Sequence, residues 1–104
     1  FSPSEHVVKT LEGRGATVIS YDPLVRYWAE MDRHLPNELP DPKEFDAIVF
    51  AVPHQQFMSL NLVRWIGGAR PVILDTVNVV DKDKRRACRK QGIRIESIGR
   101  GDGL

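Results

Sequence analysis

The polar residues that are best placed for chemistry follow a short apolar run in the last third of the chain. Residues 71–74 are apolar, and Asp75, Thr76 and Asn78 come within the next four positions. This pattern is typical of a buried parallel strand, and ligands of open α/β sheets bind at the carboxyl ends of such strands. Asn78 offers both a donor and an acceptor, which suits the edge of a nucleobase or a ribose. Capping of the loop by these short side chains explains the same pattern equally well.

A histidine follows a second apolar run. Residues 46–52 predict a central strand, and Pro53 and His54 come directly after it. His54 is therefore expected near any ligand at the shared edge, where it could contact a phosphate or act as a base. A hydrogen bond that fixes the turn is the commoner role. We therefore interpret His54, together with Thr76, as a support for the site.

The remaining reactive side chains give weaker signals. Asp22 occupies the position from which an acidic residue holds the ribose in dinucleotide folds. No Gly-x-Gly-x-x-Gly turn precedes it, so a simple Asp-Pro turn is the preferred interpretation. Seven basic residues between positions 82 and 94 predict a solvated helix face, because acids are interspersed and no aromatic residue lies among them. Cys88 lies in that helix without a histidine nearby in sequence, and no metal-ligand cluster is visible.

The composition is that of one globular domain. The chain has 104 residues, of which 41% are hydrophobic and 28% charged, and its formal net charge is +1. This balance excludes a general bias toward nucleic acid or anionic membranes. No apolar run approaches the roughly 20 residues needed to span a bilayer. The single cysteine favours a reducing, cytoplasmic location. Because the chain opens on Phe1, we expect it to be a piece of a longer protein.

Helix and strand patterns alternate along the chain. A capped helix is expected from Ser2 and Pro3, with Glu5 completing the capping box. Strands are expected at residues 16–21, 46–52, 71–74 and 93–98, and helices at 57–66 and 81–91. Residues 24–35 have the apolar spacing of a helix of about three turns, and three prolines then force a loop. We interpret residues 24–45 as an insertion in a single domain spanning residues 1–104.

This alternation predicts an α/β fold. We expect a three-layer, Rossmann-like parallel sheet with helices on both faces, lacking its first strand. Five short segments in fixed order then point to one family. They are Ser2, Pro3 and Ser4; Gly15, Ala16, Val18, Tyr21, Asp22 and Pro23; Asp46 and Ala47 with His54 and Phe57; Ile73, Leu74, Asp75, Thr76 and Asn78; and Ile98 and Gly99.

With these segments the chain resembles the C-terminal, UDP-binding domain of the UDP-glucose/GDP-mannose dehydrogenase family. The resemblance implies an NAD-dependent enzyme of polysaccharide biosynthesis that oxidises the C6 alcohol of a nucleotide sugar to a carboxylate in two hydride transfers. In that family an N-terminal domain binds NAD and carries the catalytic cysteine, and a central helical region forms the dimer. The last domain closes over the nucleotide. This chain would be that last domain, inactive in isolation.

The resemblance also suggests which residues bind substrate. Asp75, Asn78 and Arg100 are expected to contact the nucleotide sugar, with His54 and Thr76 behind them and no catalytic residue in this chain. The family often has an arginine two residues after the aspartate, where it pairs with the diphosphate.

Here Val77 occupies that arginine position, so Arg100 or another domain would supply the charge. The family's preceding strand, with its lysine-bearing loop, does not match any part of this chain. The sugar and the base are not fixed by these residues.

Two alternatives remain open. The chain could be the latter part of a conventional Rossmann NAD-binding domain, with Asp22 on the ribose. It could also be a non-enzymatic binding module of flavodoxin-like shape. The first alternative predicts a glycine-rich turn immediately upstream of Phe1, whereas the dehydrogenase family predicts a lysine-containing loop there.

Overall fold

The computed structural model describes residues 3–97, and the chain divides after Pro40 into two compact units. The first unit opens with helix α1, Pro3–Gly13. An exposed ion pair one turn apart supports this helix, because Lys9 Nζ lies 2.8 Å from Glu5 Oε2. The predicted helix is therefore confirmed, whereas the capping role of Ser2 falls outside the described residues.

Two sequence predictions in the first unit are wrong. Residues 16–21 carry no strand in the described part of the chain, although their β-branched composition favours one. The predicted helix at residues 24–35 is replaced by an antiparallel hairpin of β1, Tyr27–Trp28, and β2, Arg33–His34. A 3-10 turn at Ala29–Met31 joins the two strands.

Cross-strand contacts explain the hairpin. The Tyr27 ring packs against the His34 ring with centroids 5.0 Å apart, and the Tyr27 hydroxyl donates to the Asp32 carboxylate. Asp32 adopts φ 50°, a left-handed conformation that a continuous α-helix does not tolerate. Aromatic cross-strand pairs stabilise a short hairpin directly, so tertiary pairing outweighs the helical spacing of the apolar residues.

The second unit contains the parallel sheet. Its strands are β3, Ala47–Phe50; β4, Val72–Asp75; and β5, Ile95–Ser97, in the order β3-β4-β5. Both pairings are parallel. Helices α2, Gln55–Met58, and α3, Leu62–Ile66, connect β3 to β4, and α4, Lys82–Lys90, connects β4 to β5. The predicted α/β class and parallel sheet are confirmed.

The core of this unit lies between the sheet and its helices. Ile73 and Ile95 are neighbours in register, and they are 0% and 5% exposed. The Phe50 ring contacts the Phe57 ring of α2 at 5.6 Å. Burial of each such side chain contributes about 1.5–3 kcal/mol relative to exposure. The side chain of Val72, which precedes Ile73 in β4, lies on the opposite face of the sheet, and Val72 is 36% exposed.

The helices of this unit therefore lie over the face that carries Ile73. Helix α3 also contacts α4, as expected of two helices on one face.

Candidate functional site

The carboxyl ends of the three parallel strands meet at one edge. Phe50 is the register partner of Asp75, and Asp75 is the partner of Ser97. The segments that leave β3 and β4, residues 51–54 and 76–80, therefore start side by side. We call these two segments the rim. It is the position at which open parallel sheets bind ligands.

Asp75 holds the second rim segment together from inside. Its side chain is 0% exposed, and its carboxylate accepts three backbone hydrogen bonds. Val77 N and Val79 N each donate to Oδ1 at 3.2 Å, and Val80 N donates to Oδ2 at 2.9 Å. A buried carboxylate with three N–H donors is an internal cap for a tight loop. The structure thus supports the capping explanation for Asp75 and shows no exposed surface with which it could meet a ligand.

Thr76 ties the two rim segments to each other. Its backbone N–H and its hydroxyl both donate to the Phe50 carbonyl oxygen, at 3.1 Å and 2.8 Å. One carbonyl therefore accepts two hydrogen bonds, and the end of β4 is fixed against the end of β3. This matches the supporting position expected of Thr76, although its effect on a ligand stays a prediction.

Asn78 lies at the outer turn of the same segment. It is exposed and adopts φ 60°, whereas its neighbours Val77, Val79 and Val80 point their N–H groups at Asp75. Asparagine is one of the few residues that tolerates this left-handed conformation, so the backbone alone gives a reason for its presence. The exposed side-chain amide of Asn78 takes no part in the hydrogen bonds that tie Val77, Val79 and Val80 to Asp75. Contact with a ligand stays a prediction.

His54 lies immediately before helix α2, at the end of the other rim segment. Its carbonyl oxygen accepts from Phe57 N at 3.0 Å and Met58 N at 3.3 Å. Its half-buried ring lies edge-on to the Phe57 ring, with centroids 5.8 Å apart. These contacts are those of a residue that fixes the turn. The structure therefore brings His54 to the edge that carries Asn78, in agreement with the predicted placement.

The remaining predicted residues contribute less. Arg100 lies outside the described residues. Val77, at the position where the family often has arginine, is half-buried and points its N–H inward. Asp22 forms the turn that was preferred for it, because its Oδ1 accepts from Leu24 N at 2.8 Å. This engagement weakens the alternative in which Asp22 binds a ribose.

The loop-organising role of Asp75 is one of two explanations that the sequence left open. Asp75 was expected to contact substrate, whereas its carboxylate organises five residues of backbone. The available signal was its position directly after an apolar run, followed by three valines and an asparagine suited to positive φ. Two further observations concern the described range, residues 3–97. No group of histidine, cysteine or acidic residues there could hold a metal ion, and no helix there could cross a bilayer.

A parallel α/β sheet with a polar loop at its carboxyl edge is the architecture of the Rossmann-like nucleotide-binding class. The chain belongs to the UDP-glucose/GDP-mannose dehydrogenase family, whose UDP binding domain model matches residues 1–82. That range includes the whole rim and ends before Arg100. Comparisons with curated proteins and with solved structures gave no match.

Proposed function

We propose that the rim holds the nucleotide part of a nucleotide sugar for an NAD-dependent 6-dehydrogenase that converts the sugar C6 alcohol to a carboxylate. Family membership supports the ligand class. The meeting of residues 51–54 and 76–80 at one sheet edge supports the location. The contribution of this chain is to bind and orient the substrate, which lowers the entropic part of the barrier for a reaction carried out by other domains.

Within the rim, Asn78 is the residue we assign to direct contact. Its side chain is exposed, and the three N–H groups around it are already bonded to Asp75. Asp75 then contributes indirectly, because it fixes the loop that carries Asn78. Thr76 and His54 hold the two rim segments in place. Arg100 remains our candidate for the positive charge that a diphosphate needs, because Val77 cannot supply it.

The described residues do not fit NAD. Binding of its pyrophosphate in a Rossmann fold needs a glycine-rich turn between a strand and a helix, and residues 3–97 contain no Gly-x-Gly-x-x-Gly sequence. We therefore assign NAD to another domain of the parent enzyme, together with the catalytic cysteine and the dimer contacts. The single cysteine and a nucleotide-sugar substrate both suit a cytoplasmic enzyme.

The test is calorimetry on residues 1–104 with UDP, GDP, a UDP-sugar and a GDP-sugar. Asn78→Gly is the informative variant, because glycine keeps the left-handed backbone without strain while removing the amide. We expect it to weaken binding of the preferred nucleotide by about 1–2 kcal/mol, or roughly 5–30-fold.

The matched control is Asn37→Gly, which removes another exposed asparagine and should leave affinity unchanged. Absence of heat with all four ligands would count against nucleotide binding by this chain. Unchanged affinity in Asn78→Gly would remove Asn78 from the site while leaving the family assignment intact.

A further inference from the structure

A cleft lies at the edge of the sheet opposite the rim. It is formed by residues that precede β3 and β4, and in a parallel sheet such residues lie at the amino edge. Its volume is about 480 Å³, and it opens widely to solvent. Its walls are Lys43, Phe45, Asp46, Gly68, Ala69 and Arg70.

Two cationic side chains line this cleft, and a hydrogen bond anchors one of them. Arg70 Nη1 donates to the Gln91 carbonyl oxygen at 2.6 Å, which anchors the guanidinium and leaves its other N–H groups available. The Lys43 side chain passes over Gly67, with its Cε 3.8 Å from the place where a Cβ of residue 67 would be. Neither cation is paired with a carboxylate among residues 3–97.

The turn between α3 and β4 adds a backbone donor. Gly67 N donates to Val63 O and Ala69 N donates to Ile66 O, each at 3.1 Å. The intervening Gly68 N–H has no hydrogen-bond acceptor in the described part of the chain, and Gly68 is exposed. Gly68 lines the same cleft as Lys43 and Arg70, and a neutral N–H together with an ammonium and a guanidinium is a donor set suited to a phosphoryl group.

Asp46 and Phe45, which also line the cleft, argue against a bare phosphate ion as the ligand. The exposed Asp46 carboxylate would repel an isolated dianion but can accept hydrogen bonds from hydroxyl groups. The backbone of Asp46 is held in place because its carbonyl oxygen accepts from Val72 N at 3.0 Å. Phe45 is half-buried and offers an apolar surface to a carbon skeleton. A ligand that interacts favourably with both cations and with Asp46 carries both a phosphoryl group and neighbouring hydroxyls.

We propose that this cleft is a second binding site of the domain, for a sugar monophosphate. The phosphoryl group lies between Lys43 and Arg70 and accepts from Gly68 N–H, and ring hydroxyls donate to Asp46. The site is at the opposite end of the strands from the rim, so it does not depend on the nucleotide-binding function proposed above.

The experiment is an amide NMR titration of residues 1–104 with glucose 6-phosphate, inorganic phosphate and glucose. Glucose 6-phosphate should shift the Gly68 and Ala69 amides, inorganic phosphate should do so more weakly, and glucose should not. Lys43→Gln should weaken binding of glucose 6-phosphate about fivefold or more, because it removes one partly solvated charge-assisted hydrogen bond. The matched control is Arg64→Gln, which removes an exposed cation of α3 that does not line the cleft.

Asp46→Asn tests the sugar part of the proposal. It should bring the affinities for inorganic phosphate and glucose 6-phosphate closer together, because the repulsion of the bare ion is removed. Asn78→Gly should change none of these titrations, which separates this site from the rim.

Three results would overturn the proposal. They are no shift at Gly68 with glucose 6-phosphate, equal weakening by Lys43→Gln and Arg64→Gln, and equal affinity for both phosphates in the unsubstituted chain.

Discussion

Replacement of Asp75 by asparagine tests whether this residue organises the rim. The buried carboxylate accepts from Val77 and Val79 through Oδ1 and from Val80 through Oδ2. Asparagine retains one oxygen, so two of these bonds survive. The asparagine NH₂ group then takes the place of Oδ2, which accepts from Val80 N at 2.9 Å in the unsubstituted chain. Two hydrogen-bond donors therefore face each other at that contact. A lost hydrogen bond to a buried charged group costs about 1.5–3 kcal/mol, so we expect a loss of about 2–3 kcal/mol of unfolding free energy.

Asp75→Ala should cost more, about 4 kcal/mol, because all three N–H groups lose their acceptor in a buried position. The matched control is Asp81→Asn, which makes the same change in charge. Asp81 is exposed and caps α4 through a 2.9 Å bond from Lys84 N to Oδ1. Asparagine caps a helix about as well as aspartate, so the control should change stability by less than about 0.5 kcal/mol.

Urea denaturation gives the unfolding free energies, and hydrogen exchange at the amides of residues 77, 79 and 80 locates the loss. Protection should fall in Asp75→Asn at these three positions before it falls in the core strands. The reasoning is refuted if Asp75→Asn and Asp81→Asn destabilise the chain equally, or if protection of the three amides is unchanged.

Three further predictions concern stability. Gly67 ends α3 at φ 63° and ψ −128°, a backbone conformation that a residue with a side chain should not tolerate. Gly67→Ala should therefore lower the unfolding free energy, measured by urea denaturation, by about 1–3 kcal/mol. The adjacent Gly68→Ala should be nearly neutral, because there is open space at the position of its Cβ. The hydrogen bond from Arg33 holds the pKa of the Glu12 carboxyl below its ordinary 4.5. The stability gap between the unsubstituted chain and Glu12→Gln should therefore be present above pH 4.5 and close as the pH falls through the folded pKa, and a constant gap contradicts the ion pair. Burial raises the pKa of the Cys88 thiol above 9.0, so stability should decline as the pH rises past 9.0 toward the folded pKa. A thiol reagent should modify Cys88 only as fast as the chain unfolds; rapid labelling of the folded chain would show that the thiol is accessible.

The strands of the parallel sheet are predicted well because their signal is local. Residues 46–52 and 71–74 are largely apolar and are followed directly by proline or a short polar residue, a pattern typical of strands in a parallel sheet. The structure has β3 and β4 at these positions, paired in parallel, although β4 runs one residue further, to Asp75. The loop after β4 was also located correctly, since short polar residues at a strand end favour a turn.

The failures in the first unit have a different cause. A β-branched segment such as residues 16–21 becomes a strand only when another strand accepts its hydrogen bonds, and composition does not supply that partner. Residues 24–35 show helical spacing, yet the Tyr27 and His34 rings pair across a hairpin. Intrinsic preference is weak compared with such contacts, so the tertiary environment decided both segments.

The sequence by itself determined the α/β class, the family and the edge at which a ligand should bind, because apolar runs, turn residues and their order are properties of the chain. Only the tertiary structure decided what each polar side chain at that edge does. The Asp75 carboxylate turns inward and accepts from the N–H groups of three valines, which have no other acceptor among residues 3–97, and Asn78 is left outside at positive φ. The cleft around Arg70 likewise exists only in three dimensions, since its walls come from segments that the fold alone brings together.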